Sequence, residues 1–315
     1  MRAAGKVWWA CVLVAAGCEA AGPKAHSEDS GAGDSEGESG DSDGDALWAQ
    51  VEASGGREAC GLTRRGRVLC WGEHGSDELP PDSEGWRELS FSSVAACALD
   101  ADGMVDCWWV QFEKWDDQDV VDPPVSPLHG ISVGREVGCG LDERGALTCW
   151  GATELPEWEP PTGTWESVDI GAVACAIGVD GGLECWGSKA LHDVSATFVS
   201  VTVGSSQIVA LDERGVAHCY AGNYADTCDV PEGYRFTMVD AGNEGTCGIT
   251  TDGDLVCWFS QKGYGVYDIG PDEPQPGPWV DVSVGGAGVC AVRADGEMVC
   301  FVPENGYLAD IPDPG

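Results

Sequence analysis

A short alternation of apolar and polar residues recurs along the chain, and its clearest example runs from Cys139 to Gly151. Two apolar runs flank the polar stretch Asp142–Gly145, which is typical of a β-hairpin. Gly145 can adopt the positive φ that closes such a loop. Folding the hairpin about this turn places Cys139 opposite Cys149, where Cβ atoms lie about 4.5–5.5 Å apart. Modest twisting then brings the pair within disulfide range.

This hairpin pattern occurs seven times at intervals of roughly 40 residues, and a fixed period indicates a repeat architecture. Its copies begin at Cys60, Cys97, Cys139, Cys175, Val209, Cys247 and Cys290. An apolar opening residue and a short alternating segment precede each copy, usually followed by Gly, and an aromatic residue ends it. The opening residues are Trp48, Trp86, Leu128, Trp165, Phe198, Phe236 and Trp279. The closing aromatic residues are Trp71, Trp108, Trp150, Trp186, Tyr220, Trp258 and Phe301. Each repeat therefore predicts three strands, and no long amphipathic helix is indicated.

A single three-stranded sheet cannot bury both of its faces, so the sheets must stack on one another. Seven sheets arranged radially form a β-propeller and shield most strand edges. The sequence therefore predicts an all-β fold over residues 46–315, a seven-bladed β-propeller with short three- to four-stranded blades. A linear β-solenoid is the alternative, although solenoid repeats are typically shorter and more uniform.

The cysteine spacing supports the hairpin register. Six pairs share one spacing, whereas the fifth repeat has Val209 in the first position and leaves Cys219 to pair with Cys228. The six pairs are Cys60–Cys70, Cys97–Cys107, Cys139–Cys149, Cys175–Cys185, Cys247–Cys257 and Cys290–Cys300. Zinc is the rival interpretation, but the close Cys-x2-Cys pairs of structural zinc sites do not occur. We therefore expect disulfides, and no metal or other cofactor.

The chain begins with a targeting segment, residues 1–17. Arg2 and Lys6 precede an apolar run that is too short to span a bilayer. The sequence Ala15-Ala16-Gly17-Cys18 resembles the lipobox of bacterial lipoproteins, which implies a lipid on Cys18 as the only membrane contact. The alternative is an ordinary secretory peptide cleaved near Ala20. Either form exports the protein to an oxidising compartment, and the lipobox implies an outer-membrane or cell-surface location.

Residues 18–45 form an acidic linker rich in Gly and Ser, which we expect to be disordered. Asp41, Asp43, Asp45 and Glu52 follow the spacing of an EF-hand calcium loop. However, Ala46 occupies the position where that loop requires Gly, and no helical pattern flanks the segment. We therefore interpret it as a linker.

The repeat Cys-Gly-Leu-Asp-Glu-Arg-Gly-Ala-Leu-Thr-Cys-Trp-Gly, with the strand and Gly before it, resembles the regulator-of-chromosome-condensation repeat. The short cysteine-containing versions in exported bacterial proteins are more similar still. The resemblance covers residues 46 to about 302 and implies a seven-bladed propeller. The founding member is a nucleotide-exchange factor that binds chromatin, and a secreted bacterial relative inhibits β-lactamases, so the fold implies little about function.

Charge removes some of these functions. The formal net charge is −38, and loss of Arg2 and Lys6 with the signal segment makes it more negative. Nucleic-acid binding depends on neutralising phosphates, so this chain should be repelled by DNA or RNA. Export also excludes a nuclear exchange factor. An acidic surface favours solubility, cationic partners or calcium.

Catalytic motifs are scarce. None of the five histidines lies in His-Glu-x-x-His, no Gly-x-Ser-x-Gly sequence is followed by the helical pattern of a nucleophile elbow, and no phosphate-binding loop is present. The turn acids Asp102, Asp180, Asp252 and Asp295 resemble the Asp-box of sialidases, which is a structural turn. We therefore predict no catalytic residue and expect a protein that is not an enzyme.

After the signal segment, which contains Trp8 and Trp9, three tryptophans lie outside the repeated positions, namely Trp109, Trp115 and Trp158. Aromatic residues on the loops of a rigid scaffold are candidate binding anchors, whereas packing on the blade edge is the alternative for each. The resulting hypothesis is a monomeric, surface-anchored lipoprotein whose propeller binds an unknown protein or envelope polymer. The alternatives are an exported polysaccharide-acting enzyme with loop carboxylates and a structural envelope protein.

Overall fold

Seven antiparallel sheets of three strands make up the described part of the chain. The computed structural model describes residues 47–73, 84–110, 122–153, 158–187, 194, 196–221, 228–243, 245–259, 270–271, 273–302 and 307–314. In every sheet the strand order follows the chain order, so each strand pairs with its sequence neighbour. The prediction of one sheet per repeat and three strands per sheet is confirmed.

The first three sheets comprise β1 (Trp48–Ala53), β2 (Glu58–Thr63), β3 (Val68–Gly72), β4 (Trp86–Phe91), β5 (Ala95–Asp100), β6 (Val105–Trp109), β7 (His129–Val133), β8 (Val137–Leu141) and β9 (Leu147–Gly151). The fourth and fifth comprise β10 (Trp165–Ile170), β11 (Ala174–Gly178), β12 (Leu183–Trp186), β13 (Ser200–Val203), β14 (Gln207–Leu211) and β15 (Ala217–Ala221). The last two comprise β16 (Phe236–Ala241), β17 (Gly245–Thr250), β18 (Leu255–Phe259), β19 (Trp279–Val284), β20 (Val289–Arg293) and β21 (Met298–Phe301).

The sheets stack as the blades of a closed ring. The first strand of each blade packs against the first two strands of the blade before it, and β1 packs in the same way against β19 and β20 of the last blade. Apolar clusters fill the spaces between blades, and large aromatic residues dominate several of them. Within these clusters, aromatic rings of one blade pack together. The ring centroids of Phe236 and Trp258 lie 5.6 Å apart, and those of Trp279 and Phe301 lie 6.1 Å apart. The protein is a seven-bladed β-propeller.

A glycine turn joins the second and third strands of every blade. In the third blade Gly145 has φ 76°, and the Oδ1 atom of Asp142 accepts the N–H groups of Arg144 and Ala146 at 2.8 and 2.9 Å. The Gly145 carbonyl then accepts the N–H of Trp165, the first residue of the next blade, at 2.7 Å. The same bond joins all seven blades. The other pairs are Gly66–Trp86, Gly103–Leu128, Gly181–Phe198, Gly215–Phe236, Gly253–Trp279 and Gly296–Trp48.

The seam between the last and first blades is closed by face-to-face packing, because among the described strands no sheet combines the two ends of the chain. The segment after β21 reinforces this seam. Leu308 is only 1% exposed and lies in the cluster that contains Trp48, Trp71 and Met298. The indole N–H of Trp71 donates to the Leu308 carbonyl at 3.3 Å. The segment 307–314, the tail, therefore covers the junction between the last and first blades, whose closure the sequence does not define.

The seven disulfides have the predicted pairing. Six of them lie directly across a hairpin, with Cα atoms 4.0–4.1 Å apart. In the fifth blade Val209 faces Cys219, and Cys219 is joined to Cys228 instead. The hairpin register read from the sequence is therefore that of the structure.

Candidate functional site

The ring presents two different faces. One, the glycine-turn face, carries the seven turns that join second and third strands. The other, the connection face, carries the turns after the first strands and the points where the third strands end. The third strands continue there into the inter-blade connections, which are residues 73–85, 110–128, 152–164, 187–199, 222–235 and 260–278. Because the turns are short and repeated while the connections vary in length, the connections are the variable part of the scaffold.

Around the ring axis, a polar side chain of each first strand locks the next blade in place. Asp281 accepts the N–H of Val51 across the seam at 2.7 Å, and Asp240 accepts that of Val284 at 2.7 Å. Equivalent bonds join the remaining blades. The pairs, acceptor first, are Gln50–Leu89, Glu88–Ile131, Ser132–Ile170, Asp169–Val203 and Thr202–Ala241, at 2.7–3.1 Å.

These axial side chains are acceptors for backbone groups, which defines their role. Asp240 also accepts the hydroxyl groups of Ser283 and Thr202, at 3.3 and 3.5 Å. A buried carboxylate that receives several hydrogen bonds is fixed in position. The axial carboxylates therefore hold the blades in register.

One end of the axis is narrowed by close backbone approach. A Cβ atom at Gly242 would collide with the carbonyl of Val284, and one at Gly286 with the carbonyl of Gly55. Asn243 spans this end, because its Nδ2 atom donates to the Gly55 carbonyl at 2.7 Å while its Oδ1 atom accepts the Ser205 hydroxyl at 2.6 Å. This end lies on the connection face. Glycine is therefore required at positions 242 and 286, which follow first strands, because the backbone of a neighbouring blade packs directly against them.

The three candidate tryptophans lie in, or directly before, two neighbouring connections. Trp109 ends β6, where it faces Ala95, and it is half-buried against the cluster between the second and third blades. Trp158 is half-buried against the next cluster, close to Gly187. Trp115 lies in 110–128 but outside the described residues. Trp109 and Trp158 therefore both have blade contacts and a solvent-facing part.

The fifth blade carries a compact polar group at its glycine turn. The carboxylate of Asp212 accepts the N–H groups of Arg214 and Val216, at 2.9 and 3.0 Å. It also contacts the guanidinium of Arg214 at 2.9 Å and the Nε2 atom of His218 at 3.5 Å. Burial opposes ionisation, but these donors hold the pKa of Asp212 well below its usual range. His218 packs edge-on against Phe198. The carboxylate of Asp212 serves to close the turn, because it accepts two N–H groups of that turn.

Sequence reasoning missed this class of turn residue. The acid at the end of the second strand, as in Asp100, Asp142 and Asp212, accepts two backbone N–H groups of its own turn. The acids that resemble the Asp-box lie two residues later in the turn. Of these, Asp180 and Asp295 each accept one backbone N–H group. The signal was present, because these Asp residues lie three residues before the turn glycine, and Asp at a turn commonly bonds to the backbone of its own turn.

Two predictions concern metals and membranes. Within the described ranges no group of three or more His, Cys, Asp or Glu residues is arranged to hold a metal ion. The same residues include no helix that is long and apolar enough to cross a bilayer. Cys18 and the EF-hand-like acids Asp41 to Asp45 lie outside the described residues.

The fold defines the protein as a β-propeller, and the solved structures that it resembles are of the same class. No protein-family model and no curated protein matches the chain. It is similar to the ectodomain of the receptor kinase CR4 from Physcomitrella patens, with 20% identity over 82% of this chain and 73% of that one, and a TM-score of 0.66. Human WBSCR16 has 13% identity over 84% and 87% of the two chains, with a TM-score of 0.55. Prp20p from Saccharomyces cerevisiae has 14% identity over 84% and 74%, with a TM-score of 0.47. At these identities, the similarity to the first two structures establishes the fold alone.

Proposed function

We propose that this protein is an exported, lipid-anchored scaffold that binds another protein through the connection face of its propeller. The observation that carries the proposal is the contrast between a rigid repeated ring and the variable connections that leave one of its faces. Every junction in the ring is held by repeated hydrogen bonds, so the connections are presented from a fixed frame. Binding loops on rigid scaffolds have this arrangement.

The binding surface that we propose is formed by the two connections that flank the third blade, 110–128 and 152–164. These contain Trp115 and Trp158, and Trp109 ends the strand before the first of them. Half-buried tryptophans keep a fixed orientation while exposing apolar area, which suits an anchor for a partner protein. Trp115 is the expected main anchor, because the charged residues Lys114, Asp116 and Asp117 flank it in the sequence.

A role that does not involve catalysis is the better interpretation of the described residues. The axial carboxylates are occupied by backbone and hydroxyl donors, and Asp212 is occupied by its turn. A general acid or nucleophile needs a side chain that faces a reacting group.

Seven disulfides suit an oxidising compartment, and the lipobox supplies the proposed attachment at Cys18. A Cys18→Ala variant should leave the membrane fraction, because the lipid and not the polar linker provides membrane affinity. Fractionation followed by a carbonate wash tests this. Retention of the variant in the washed membranes would show that the protein is not anchored through Cys18.

The binding proposal is tested with three proteins, the wild type and its Trp115→Ala and Val280→Ala variants. Val280 is exposed on the glycine-turn face and provides a matched apolar control. Each immobilised protein is incubated with envelope extract, and retained proteins are quantified. We expect a specific partner that Trp115→Ala loses and Val280→Ala retains, with a loss in affinity of about 2 kcal/mol or more in titrations. Equal retention by both variants, or retention of glycan alone, would contradict the proposal.

A further inference from the structure

The first blade has an unusual glycine turn on an otherwise acidic protein. Its residues are Arg64, Arg65, Gly66 and Arg67, and Arg87 follows closely because the N–H of Trp86 bonds to the Gly66 carbonyl at 3.0 Å. All four arginines are exposed. We call them the arginine surface. The other six turns all lie in the described ranges, and each contains at least one carboxylate; the turn of the first blade contains none.

The arginine surface is held rigidly. The N–H of Gly66 donates to the Thr63 carbonyl, and the N–H of Thr63 donates to the Arg67 carbonyl, both at 2.8 Å. The Thr63 hydroxyl also accepts the N–H of Arg67 at 3.0 Å. The Arg64 side chain donates to the carbonyl of Ala294 on the last blade at 3.0 Å, and a neutral carbonyl leaves its charge uncompensated. Turn acids lie on both neighbouring blades. On the last blade Glu297 pairs with Arg293 at 3.4 Å, and on the second blade Asp100 lies opposite Trp86 and accepts two N–H groups of its own turn.

The acidic segment 28–45 ends two residues before Leu47, which is bonded to this surface. The N–H of Arg64 donates to the carbonyl of Leu47 at 2.8 Å. Since a residue spans at most about 3.6 Å, Asp45 lies within roughly 7 Å of Leu47 and Asp43 within roughly 14 Å. Both distances are comparable to the Debye length of about 8 Å at physiological salt. The segment 28–45 carries eight carboxylates and no basic residue.

We propose that the acidic segment 28–45 docks on the arginine surface of its own propeller. Single exposed ion pairs are weak, but several can form together here, and covalent attachment gives the segment a millimolar effective concentration. An external polyanion lacks this advantage and is also repelled by the net charge of −38. The consequence is that the tether leaves the propeller along the glycine-turn face, and the connection face remains free.

Arginine footprinting tests this inference in the mature chain. Two proteins are compared, the wild type and a variant in which the eight acids of 28–45 become Asn or Gln. Both are treated with phenylglyoxal, a neutral arginine reagent, and modification is quantified by mass spectrometry. Arg144 and Arg235 are exposed arginines elsewhere on the propeller and serve as internal references. Circular dichroism melts verify that both proteins are folded.

At low salt we expect the four arginines of the surface to react at least about threefold more slowly in the wild type, as docking at millimolar effective concentration implies. This difference should disappear in 1 M salt, where the Debye length is about 3 Å, while the reference arginines react equally throughout. Equal reaction of the surface in both proteins at low salt would overturn the proposal. Protection that increases with protein concentration would also overturn it, because it would assign the surface to a second copy of the chain. The outcome is independent of partner binding at Trp115.

Discussion

Single glycines determine how closely neighbouring blades approach. Gly215 has φ 74°, and a Cβ atom there would lie 2.5 Å from the carbonyl oxygen of Phe236 on the next blade. Gly233 has a similar φ of 89°, but a Cβ atom there would meet nothing within 4 Å. The two positions therefore separate backbone strain from steric collision between blades.

We predict that Gly215→Ala is clearly more destabilising than Gly233→Ala. The second change costs about 1–2 kcal/mol, because it forces a left-handed conformation on Ala. Gly215→Ala adds a collision with the carbonyl oxygen of Phe236. This atom cannot move without breaking the hydrogen bond from the Phe236 N–H to the Gly215 carbonyl. Chemical unfolding of both variants measures the difference. Equal losses would mean that the junction between the fifth and sixth blades relaxes freely.

Asp212 should give the fifth blade a dependence on pH. Its pKa is lowered in the folded state, so its stabilising effect is present above the unfolded pKa of about 3.9 and is lost as the pH falls through the folded value. Asp212→Asn should therefore cost about 1–2 kcal/mol at pH 7 through weakened hydrogen bonds. The difference from the wild type should shrink below pH 4.

Unfolding titrations at pH 7 and pH 3 on the wild type and Asp212→Asn measure this effect. Asp252→Asn is the control, because Asp252 lies exposed in the equivalent turn of the sixth blade. The Asp252→Asn variant should be as stable as the wild type at both pH values. A constant difference between Asp212→Asn and the wild type across pH would contradict the assigned role of the carboxylate.

At the scale of the blade, the hairpin geometry should accept a disulfide wherever two cysteines face each other. Val209 and Cys219 face each other in the fifth blade, at the positions that carry cysteines 4.0–4.1 Å apart in the other six. We predict that Val209→Cys combined with Cys228→Ser forms the hairpin bridge to Cys219. Non-reducing peptide mapping detects it, and two free thiols in the folded variant would show that the fifth hairpin differs.

The blade is also the unit that the sequence describes best. The turn glycine, its aromatic neighbours and the paired cysteines lie within one short hairpin, so local spacing reveals them. Contacts between blades are different, because Asp281 and the Val51 N–H that it accepts are 230 residues apart. No local pattern identifies such partners. Trp109 likewise resembled a loop residue in sequence, yet it ends a strand because its backbone continues the ladder opposite Ala95.

For the whole ring, the tail after the last blade should contribute to stability. Leu308 is buried among Trp48, Trp71 and Met298, outside the repeats, so the sequence pattern gave no reason to select it. We predict that Leu308→Ala costs about 2–5 kcal/mol through the cavity that it leaves. Asp310→Ala, an exposed change in the same tail, should be neutral. Chemical unfolding compares the two, and equal stability would mean that the tail does not seal the seam.

The seam uses the same bond between a glycine carbonyl and the next blade as the six other junctions, and each blade is made of consecutive strands. No blade is therefore topologically the first. Circular permutants that open the chain in a connection and join Pro314 to Leu47 through a short linker would keep all seven sheets intact. For the same reason, duplication or loss of a repeat in the gene adds or removes one complete blade. The number of blades in the ring can therefore change during evolution while every junction keeps the same hydrogen bond.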